Sequence, residues 1–404
     1  EGPPTKRVHV YFAGGKGTLM KNGKLQARDP AADILRCVAA FSVISVHFFM
    51  NSGFYSSPID CPRMIVLLFM RSAFVVCVPL FLTLTGYLMT NKRLVRSYYR
   101  GIRNTLFTYV VSGLCCMLLF PVFYRWLQPV LGLPDKAISS YNFKGIVFKL
   151  LDFSAAPYAW YIEMYIGLFL LIPFLNILYH GIDSKRKKQV LLLTLAVVVN
   201  LSTVVNTNNF TLSGWWSHPS MSTDYQPLIP DYWIGFYPVF YYFLGSYFRE
   251  YGVKMKPWQA ALGFAAACLI SGGYNLWRSY GANFVYGVWT LWASALIIPQ
   301  IIFLTAFFTN LRYSRMSDSL RWCFYKLSGL CLGIYLTSWI FDNLYYPILT
   351  ASIPEVRDRL EAYFWIVPLV FPSSAVLSYG IQKLYSLWSL LTAALGRCFR
   401  RPKV

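Results

Sequence analysis

Apolar segments long enough to cross a membrane recur along the whole chain, separated by polar loops. A helix needs about 20 apolar residues to cross the roughly 30 Å hydrocarbon core of a bilayer. The pattern predicts an all-α integral membrane protein, with a membrane domain of residues 32–382 between basic segments 1–31 and 383–404. We expect a bundle of about ten transmembrane helices. The predicted spans are 32–50, 64–89, 104–124, 156–179, 189–206, 231–249, 258–275, 285–308, 327–347 and 362–382.

Lysine and arginine concentrate in alternate loops, which predicts the orientation of the bundle. Cytoplasmic loops of membrane proteins collect these residues. The basic loops after spans two, four, six and eight and the C-terminal tail fall on one side, so both termini are predicted to be cytoplasmic. Segment 125–155 is the exception, because it carries basic residues on the other side. Its stretch FKGIVFKLLDF alternates basic and apolar residues, as an interfacial helix does.

The composition excludes several other classes of protein. Hydrophobic residues make up 56% of the 404-residue chain and charged residues 13%, whereas soluble domains contain about 25% charged residues. The formal net charge of +21 is explained by the basic cytoplasmic loops, so no nucleic-acid partner is expected. The nine cysteines are scattered without a CxxC pair or a His/Cys cluster. We therefore predict neither a metal site nor a disulfide framework.

Ionisable residues inside the predicted spans are few, and each is a candidate site residue. A charge near the bilayer centre costs at least about 2.5–3.5 kcal/mol on insertion scales, so it usually has a partner or a function. Among them are Asp33, Arg36 and His47 in span one, Glu163 in span four and Asp342 in span nine.

Span one carries a polar stripe. Arg36 and His47 are eleven residues apart, so they share one helical face and are separated by about 16 Å along the axis. Asp33 precedes Arg36 by three residues and is positioned to pair with it. His is the residue type best suited to accept and return a proton near neutral pH. Two alternatives stay open: His47 is a hydrogen-bonded packing residue, and the Asp33–Arg36 pair only anchors the helix.

Spans four and nine each add one carboxylate. We hypothesise that Glu163 faces the same polar cavity as Arg36 or His47, and the alternative is a structural ion pair. Asp342 lies toward the outer end of span nine and is interpreted as an interfacial residue.

An aromatic cluster stands at the start of span four. It contains Tyr158, Trp160 and Tyr161. Aromatic rings in this position are candidates for a wall on which a sugar substrate stacks. The alternative is interfacial anchoring, the usual role of Trp and Tyr at the ends of spans.

A basic run, RLVRSYYRGIRN, follows span two. It contains two R-x-x-R patterns, Arg93/Arg96 and Arg100/Arg103. Residues three apart are neighbours on a helix, so each pair is predicted to form a fork of two guanidinium groups. Such forks bind phosphates or carboxylates bidentately. The alternative is anchoring of the helix on the cytoplasmic side.

Five motifs occur along the chain in order. The first is ADILRCVAAFSVISVH, in which ten residues separate an Arg from a His. The others are VPLFLTLTGYLM, YYRGIRN, AWYIEMYIGLFLLIPFLN and GIYLTSWI. The ordered set, which covers residues 32–345, resembles the motifs of membrane-bound acyltransferase family 3.

The resemblance implies a ten-helix membrane enzyme that moves an acetyl or other short acyl group from acyl-CoA to a hydroxyl, typically of a glycan. It implies functional roles for Arg36, His47, Arg100 and Arg103. Acyl-CoA is then a donor substrate rather than a permanently bound cofactor. Its negative charges would meet these arginines, with Arg96 beside them, on the cytoplasmic side.

His47 would act as general base on the acceptor hydroxyl or would first accept the acyl group itself. Glu163 is included with Arg36 in the catalytic set, because a carboxylate orients an imidazole or stabilises its cation. The chain departs from the family pattern at two positions. It has Pro79 where many members have an acid, and Ser338 where many have a His.

The expected partners are the lipid bilayer, cytoplasmic acyl-CoA and a glycan or lipid-linked sugar acceptor, and the expected location is the bacterial cytoplasmic (inner) membrane. A second reading is a multi-span transporter or flippase for an anionic or glycan-linked substrate. Sparse polar residues in several spans and one basic side would serve that function too. A transporter differs in that it moves its substrate without modifying it.

Overall fold

The structure of the chain is a computed structural model that describes residues 20–21, 24–25, 29–135 and 141–398, with side chains described over 29–135 and 141–392. Two-residue strands β1 (Met20–Lys21) and β2 (Lys24–Leu25) pair antiparallel near the N-terminus. The remaining regular structure in the described part is helical. The predicted all-α class is therefore confirmed.

Fifteen α-helices make up the described part of the chain. They are α1 (Pro30–Asn51), α2 (Pro62–Phe74), α3 (Cys77–Met89), α4 (Arg96–Tyr99), α5 (Arg103–Leu114), α6 (Phe120–Leu131), α7 (Phe143–Leu151), α8 (Trp160–Gly181), α9 (Lys185–Leu195), α10 (Ser202–Val205), α11 (Tyr237–Tyr251), α12 (Pro257–Ser279), α13 (Ile297–Asn310), α14 (Asp318–Ser352) and α15 (Tyr363–Cys398). π-Helical turns join α5 to α6 and α9 to α10. Helix α7 coincides with the basic-apolar stretch for which the sequence predicts a helix.

Eight helical segments in the described part are long and apolar enough to cross a membrane: Pro30–Ser56, Pro62–Met89, Arg96–Leu131, Trp160–Gly181, Lys185–Val205, Pro257–Ser279, Asp318–Ser352 and Tyr363–Thr392. The chain is thus a multi-pass membrane protein. Predicted spans 231–249 and 285–308 overlap the shorter helices α11, of 15 residues, and α13, of 14 residues, each of which ends two residues beyond its predicted span. At 1.5 Å per residue these reach only about 21–23 Å, because 3₁₀ turns at Ile234–Phe236 and Val288–Thr290 precede them.

Local sequence signals set the ends of α1. The Asp29 side chain accepts a hydrogen bond from the Ala31 N–H at 3.0 Å, and Pro30 occupies the first helical turn. These are the residue types that favour a helix N-terminus. After Ser52 the chain turns sharply at Gly53, whose φ of 78° is left-handed and suits glycine. The first span therefore begins and ends where its sequence dictates.

Helices α3 and α11 pack backbone against backbone at two glycines. A Cβ added to Gly86 would overlap the Tyr242 carbonyl, and one added to Gly245 would overlap the Thr83 carbonyl. Small residues permit such close approach between membrane helices, where packing rather than water exclusion drives association. The α3–α11 contact therefore depends on both glycines.

Helices α1 and α14 run parallel and in register. In the first turn of α1, the Asp33 carboxylate accepts a hydrogen bond at 2.6 Å from the hydroxyl of Ser328, the eleventh residue of α14, with a sequence offset of 295 residues. Fourteen residues further along each helix, His47 meets Asp342 with the same offset. Fourteen helical residues rise about 21 Å. Two polar contacts thus fix the relative axial position of these helices at two levels.

The bundle has two ends that carry different loops. At one, here called the basic end, Asp29 accepts a hydrogen bond from Tyr87 and lies 3.8 Å from Arg249. At the other, here called the opposite end, the Ser52 carbonyl accepts a hydrogen bond from Arg359 at 2.6 Å. Asp33 therefore lies toward the basic end and His47 toward the opposite end.

Candidate functional site

His47 sits in the last turns of α1, buried against α14. Its Nδ1 lies 3.4 Å from Asp342 Oδ2 and 3.3 Å from the Ser338 hydroxyl. Ser338 and Asp342 are one helical turn apart on α14, so both reach the same ring nitrogen. The parallel register of α1 and α14 is what places the imidazole beside a carboxylate.

Hydrogen-bond accounting assigns the tautomer of His47. The Ser338 hydroxyl has one proton, and it donates that proton to the Tyr335 carbonyl at 2.9 Å. Toward His47 it therefore offers only lone pairs, as does the carboxylate of Asp342. The Nδ1 position carries the proton, and Nε2 keeps a free lone pair. This arrangement makes Nε2 the atom able to accept a proton or an acyl group.

Tyr158 is the third member of the cluster. Its hydroxyl donates to Asp342 Oδ2 at 2.9 Å, and its ring centroid lies 3.9 Å from that of His47. Burial and the neighbouring carboxylate of Asp342 raise the pKa of Tyr158 well above its ordinary value. The hydroxyl stays protonated and remains a donor, so it orients the carboxylate against the imidazole. Asn51 supports it, with Nδ2 donating to the His47 carbonyl at 2.8 Å and lying 3.4 Å from the Tyr158 hydroxyl.

The interfacial interpretation of Asp342 is wrong. The residue is fully buried, and its carboxylate contacts two members of the cluster. Sequence reasoning missed it because a residue near the end of an apolar span looks interfacial when its neighbours are unknown. One signal was available in the sequence. His47 and Asp342 both lie toward the C-terminal ends of their spans, so they can meet if the two spans are parallel and adjacent.

A cavity of about 560 Å³ opens beside Asp342. Asn51, Pro134, Asp342, Asn343, Tyr346 and Thr350 are among the residues that line it. Two buried polar atoms at its wall, Asp342 Oδ1 and the Tyr346 hydroxyl, have no hydrogen-bond partner. Buried polar atoms are normally paired, so this wall has capacity for a ligand that brings its own hydroxyl groups.

Arg36 and Asp33 form the predicted pair toward the basic end of α1. Arg36 Nη1 lies 3.7 Å from Asp33 Oδ1, which also accepts the hydrogen bond from Ser328. The Arg36 guanidinium also interacts electrostatically with the hydroxyls of Tyr161 and Tyr165. Arg36 and His47 therefore form two separate polar parts of α1, one toward each end of the bundle.

An aromatic stripe on α8 joins these two parts. Tyr161, Tyr165 and Phe169 are spaced four residues apart, so they share one helical face over about 12 Å. At one end, the ring centroids of Tyr161 and Tyr335 are 6.1 Å apart, and Tyr335 is 6.3 Å from His47. At the other end, Phe169 stacks on Tyr98, within the basic run, at 4.5 Å. The stripe runs from the basic run to the imidazole.

Glu163 is not brought to His47. It is exposed in the first turn of α8 and lies two residues from both Tyr161 and Tyr165. Two residues correspond to about 200° around a helix, so Glu163 points away from the aromatic stripe. An acid in the first turn is stabilised by the helix dipole. The structure therefore gives Glu163 no place in the His47 cluster, contrary to the hypothesis.

The predicted aromatic wall divides into separate contacts. Tyr158 belongs to the His47 cluster and Tyr161 to the α8 stripe. Trp160 instead stacks on Trp292, with centroids 4.2 Å apart and planes 20° from parallel. One face of the Trp160 ring is thus covered by protein and cannot hold a sugar.

The basic run is helical only in part. Arg93 precedes α4, which begins at Arg96, so the predicted helical fork of Arg93 and Arg96 is wrong. Arg100 opens a 3₁₀ turn and Arg103 opens α5. Arg96, Arg100 and Arg103 are all exposed, and exposed guanidinium groups are available to an anionic ligand.

The two departures from the family pattern have clear structural places. Pro79 is the third residue of α3, where a helix tolerates proline, and it follows the break between α2 and α3. Ser338 contacts His47 through its hydroxyl. Where many members have a second His, this chain therefore has the smaller Ser338, whose hydroxyl accepts a hydrogen bond from His47.

Comparison with known proteins assigns the family. No curated protein matches the chain, and no solved structure matches it. The family model described as an acyltransferase domain, that of acyltransferase family 3, matches residues 29–383. This range begins at the cap of α1 and includes His47, the basic run and Asp342, and it covers most of the chain. On this match and on its multi-pass helical fold, the chain belongs to acyltransferase family 3 and is a membrane acyltransferase.

Proposed function

We propose that the protein is an O-acyltransferase that moves an acetyl or other short acyl group from acyl-CoA to a hydroxyl of a glycan or lipid-linked sugar. The observation that carries the proposal is the contact of His47 Nδ1 with Asp342 and Ser338. This contact leaves Nε2 free, in a chain of an acyltransferase family. An imidazole held by a carboxylate is the arrangement that general-base and nucleophilic catalysis require.

The donor would bind from the basic end. Arg96, Arg100 and Arg103 are exposed there and would hold the phosphates of acyl-CoA through charge-assisted hydrogen bonds. Arg36 lies further inside and would attract the donor toward the bundle. The α8 stripe supplies an aromatic and hydroxyl-bearing wall between these arginines and His47. The pantetheine arm would lie along it, with acyl-CoA as a substrate and not a resident cofactor.

Two chemical routes fit this geometry. In direct transfer, His47 Nε2 takes the proton of the acceptor hydroxyl while its oxygen attacks the thioester carbonyl carbon. The carbon–sulfur bond then breaks, and CoA leaves as a thiol after it takes that proton. In two-step transfer, Nε2 attacks the thioester carbonyl carbon, the carbon–sulfur bond breaks and CoA leaves as a thiolate. The acceptor oxygen then attacks the acyl carbon, the carbon–nitrogen bond to the imidazole breaks, and the proton of the acceptor hydroxyl passes to the thiolate. In both routes Asp342 stabilises the positive charge that develops on the ring.

The acceptor would occupy the cavity at the opposite end. Its polar lining consists of amides, hydroxyl groups and the Asp342 carboxylate. Such a lining suits a ligand that presents several uncharged hydroxyl groups. A donor entering from the basic end and an acceptor entering from the opposite end would meet at His47. We propose a bacterial cytoplasmic membrane as its location, as the family resemblance implies, with the basic end toward the cytoplasm.

A transfer assay in liposomes tests the proposal. Purified protein would receive acetyl-CoA labelled in the acetyl group and a crude glycan acceptor mixture, and CoA release and label transfer would be followed together. The proposal predicts that both occur in equal amounts and only when the protein is present. Absence of CoA release and of label on any acceptor, together with failure of acetyl-CoA to bind, would favour the transporter reading instead.

A further inference from the structure

Arg71 is a buried cation within the second span that the acyl-transfer chemistry does not use. It lies on α2, at the tenth of its 13 residues, and its exposed fraction is 2%. An ionisable residue within a membrane span is costly, and it usually marks a functional site when its partner is missing. The contacts of the Arg71 guanidinium therefore decide whether its role is structural.

Three aromatic rings surround Arg71. Its guanidinium carbon lies 4.7 Å from the ring centroid of Phe284, 5.6 Å from that of Tyr286 and 6.0 Å from that of Tyr55. Nε donates to the Tyr55 hydroxyl at 3.2 Å. Nη1 is buried and has no hydrogen-bond partner. In the described part of the chain, no carboxylate lies within ion-pair distance of Arg71.

Two other buried arginines of the opposite end provide an internal comparison. Arg278 also lies among aromatic rings, but it donates to the Thr207 carbonyl and to two tyrosine hydroxyls. Arg359 donates to the carbonyls of Ser52, Ile353 and Pro354 at 2.6–2.7 Å. Both are explained as structural ties between loops and helix ends, since their terminal nitrogens meet protein acceptors, although the buried Nε of Arg278 has no hydrogen-bond partner. Arg71 differs because its only hydrogen bond in the described part of the chain is made by Nε, and its terminal nitrogens make none.

The three aromatic rings do not satisfy the hydrogen-bond donors of Arg71. A ring face attracts the charge of a guanidinium, but the N–H groups in its plane still need oxygen acceptors. Leaving a buried charged donor unpaired is costlier than leaving a neutral one unpaired. A carboxylate or phosphate supplies two oxygens in the geometry of the fork. Tyr286, half exposed at the opposite end, lies between the guanidinium and that end, with its ring centroid 5.6 Å from the guanidinium carbon.

We propose that Arg71, with Tyr55, Phe284 and Tyr286 around it, is a binding site for an oxyanion, a carboxylate or a phosphate group. The group belongs to a ligand that enters from the opposite end of the bundle. The site is separate from the arginines of the basic end, and it goes beyond acyl transfer. The oxyanion has two candidate sources: an acidic sugar or phosphate in solution, or the phosphate of a lipid headgroup.

The test measures binding, so its outcome does not depend on acyl transfer. Thermal unfolding of the purified protein in phosphatidylcholine nanodiscs would be followed during titration with sodium phosphate, with sodium glucuronate and with glucose as the uncharged match for glucuronate. A parallel series would replace part of the phosphatidylcholine with phosphatidylglycerol. A ligand that binds only the folded state raises the unfolding temperature in a concentration-dependent way.

We expect at least one oxyanion, and not glucose, to raise the unfolding temperature of the native protein. In Arg71→Gln the midpoint of that titration should move to at least about tenfold higher concentration. Arg71→Lys, which keeps the charge but lacks the fork, should show an intermediate midpoint and serves if Arg71→Gln fails to fold. Arg63→Gln removes an exposed cation of the same end, paired with Asp358 and Glu361, and should titrate like the native protein.

The arms of the titration separate the sources. A response to phosphate or glucuronate identifies a soluble anion, and a response to phosphatidylglycerol alone identifies a lipid headgroup; either supports the site if it requires Arg71. The proposal is overturned if no oxyanion stabilises the native protein, or if Arg71→Gln and Arg71→Lys respond as the native protein does.

Discussion

Replacing Asp342 by asparagine isolates the electrostatic part of the His47 cluster. Asparagine has nearly the same shape, so the side chain still fills its buried position and still accepts the hydrogen bond from Tyr158 through its amide oxygen. The change removes the negative charge 3.4 Å from His47 Nδ1. Ser338 stays in place, and its hydroxyl still contacts the same nitrogen. The imidazole therefore keeps its position and loses the charge that stabilises its cation.

The expected decrease in kcat follows from the distance between the Asp342 carboxylate and His47 Nδ1. At 3.4 Å and an effective dielectric constant of about 20, a full imidazolium–carboxylate pair is worth about 5 kcal/mol. If about half of that interaction develops in the transition state, its loss raises the barrier by about 2.5 kcal/mol. This corresponds to a decrease of about 70-fold in kcat. The KM for acyl-CoA should change little, because the arginines proposed to bind the donor lie toward the other end.

The assay is CoA release under saturating acetyl-CoA and acceptor, with the unfolding temperature of each variant measured in parallel. Asp358→Asn is the matched control, since Asp358 is an exposed acid of the same end whose partner is Arg63. It should keep native kcat. If folded Asp342→Asn retains kcat within about threefold of the native protein, the carboxylate does not support His47, and the reasoning fails.

Three further changes test other parts of the structure. Tyr158→Phe removes one donor to Asp342 and should lower kcat by about fivefold, the equivalent of about 1 kcal/mol for one hydrogen bond; an unchanged kcat would show that the hydroxyl is dispensable. Arg100→Gln should raise the KM for acyl-CoA several-fold with little effect on kcat, whereas Arg186→Gln, which neutralises an exposed cation in the first turn of α9, should not; equal effects would remove the specific role of Arg100. Gly245→Val should lower the unfolding temperature strongly because its side chain overlaps the backbone of α3, and Gly273→Ala, which faces open space, should not; a stable Gly245→Val protein would refute the packing account.

The sequence predicted the class and the helices well because membrane spans depend on a local property. About 20 consecutive apolar residues must form a helix in a bilayer, whatever their neighbours are. The pattern therefore located all eight long segments. The predicted count of ten stays a prediction, since α11 and α13 are shorter than a full span. Their ends depend on 3₁₀ turns, which hydrophobic periodicity does not reveal.

Only part of the candidate site could be predicted from the sequence, because contacts between helices depend on which helices are neighbours. The Asp33–Arg36 contact lies within one helix, and helical spacing found it. The partner of His47 lies on α14, and only the packing of α1 against α14 shows that Asp342 reaches the imidazole. The same limit explains Glu163, since its position in a span suggested burial and only its helical face shows that it is exposed.

The most direct test of the account is the rate of labelled acetyl transfer by His47→Ala, with acetyl-CoA binding and folding measured on the same sample. The account predicts that transfer falls by at least about 100-fold, the lower end of the contribution of a general base, while acetyl-CoA still binds and the unfolding temperature stays close to native. Transfer that persists near the native rate in a folded His47→Ala protein would contradict the assignment of the chemistry to His47.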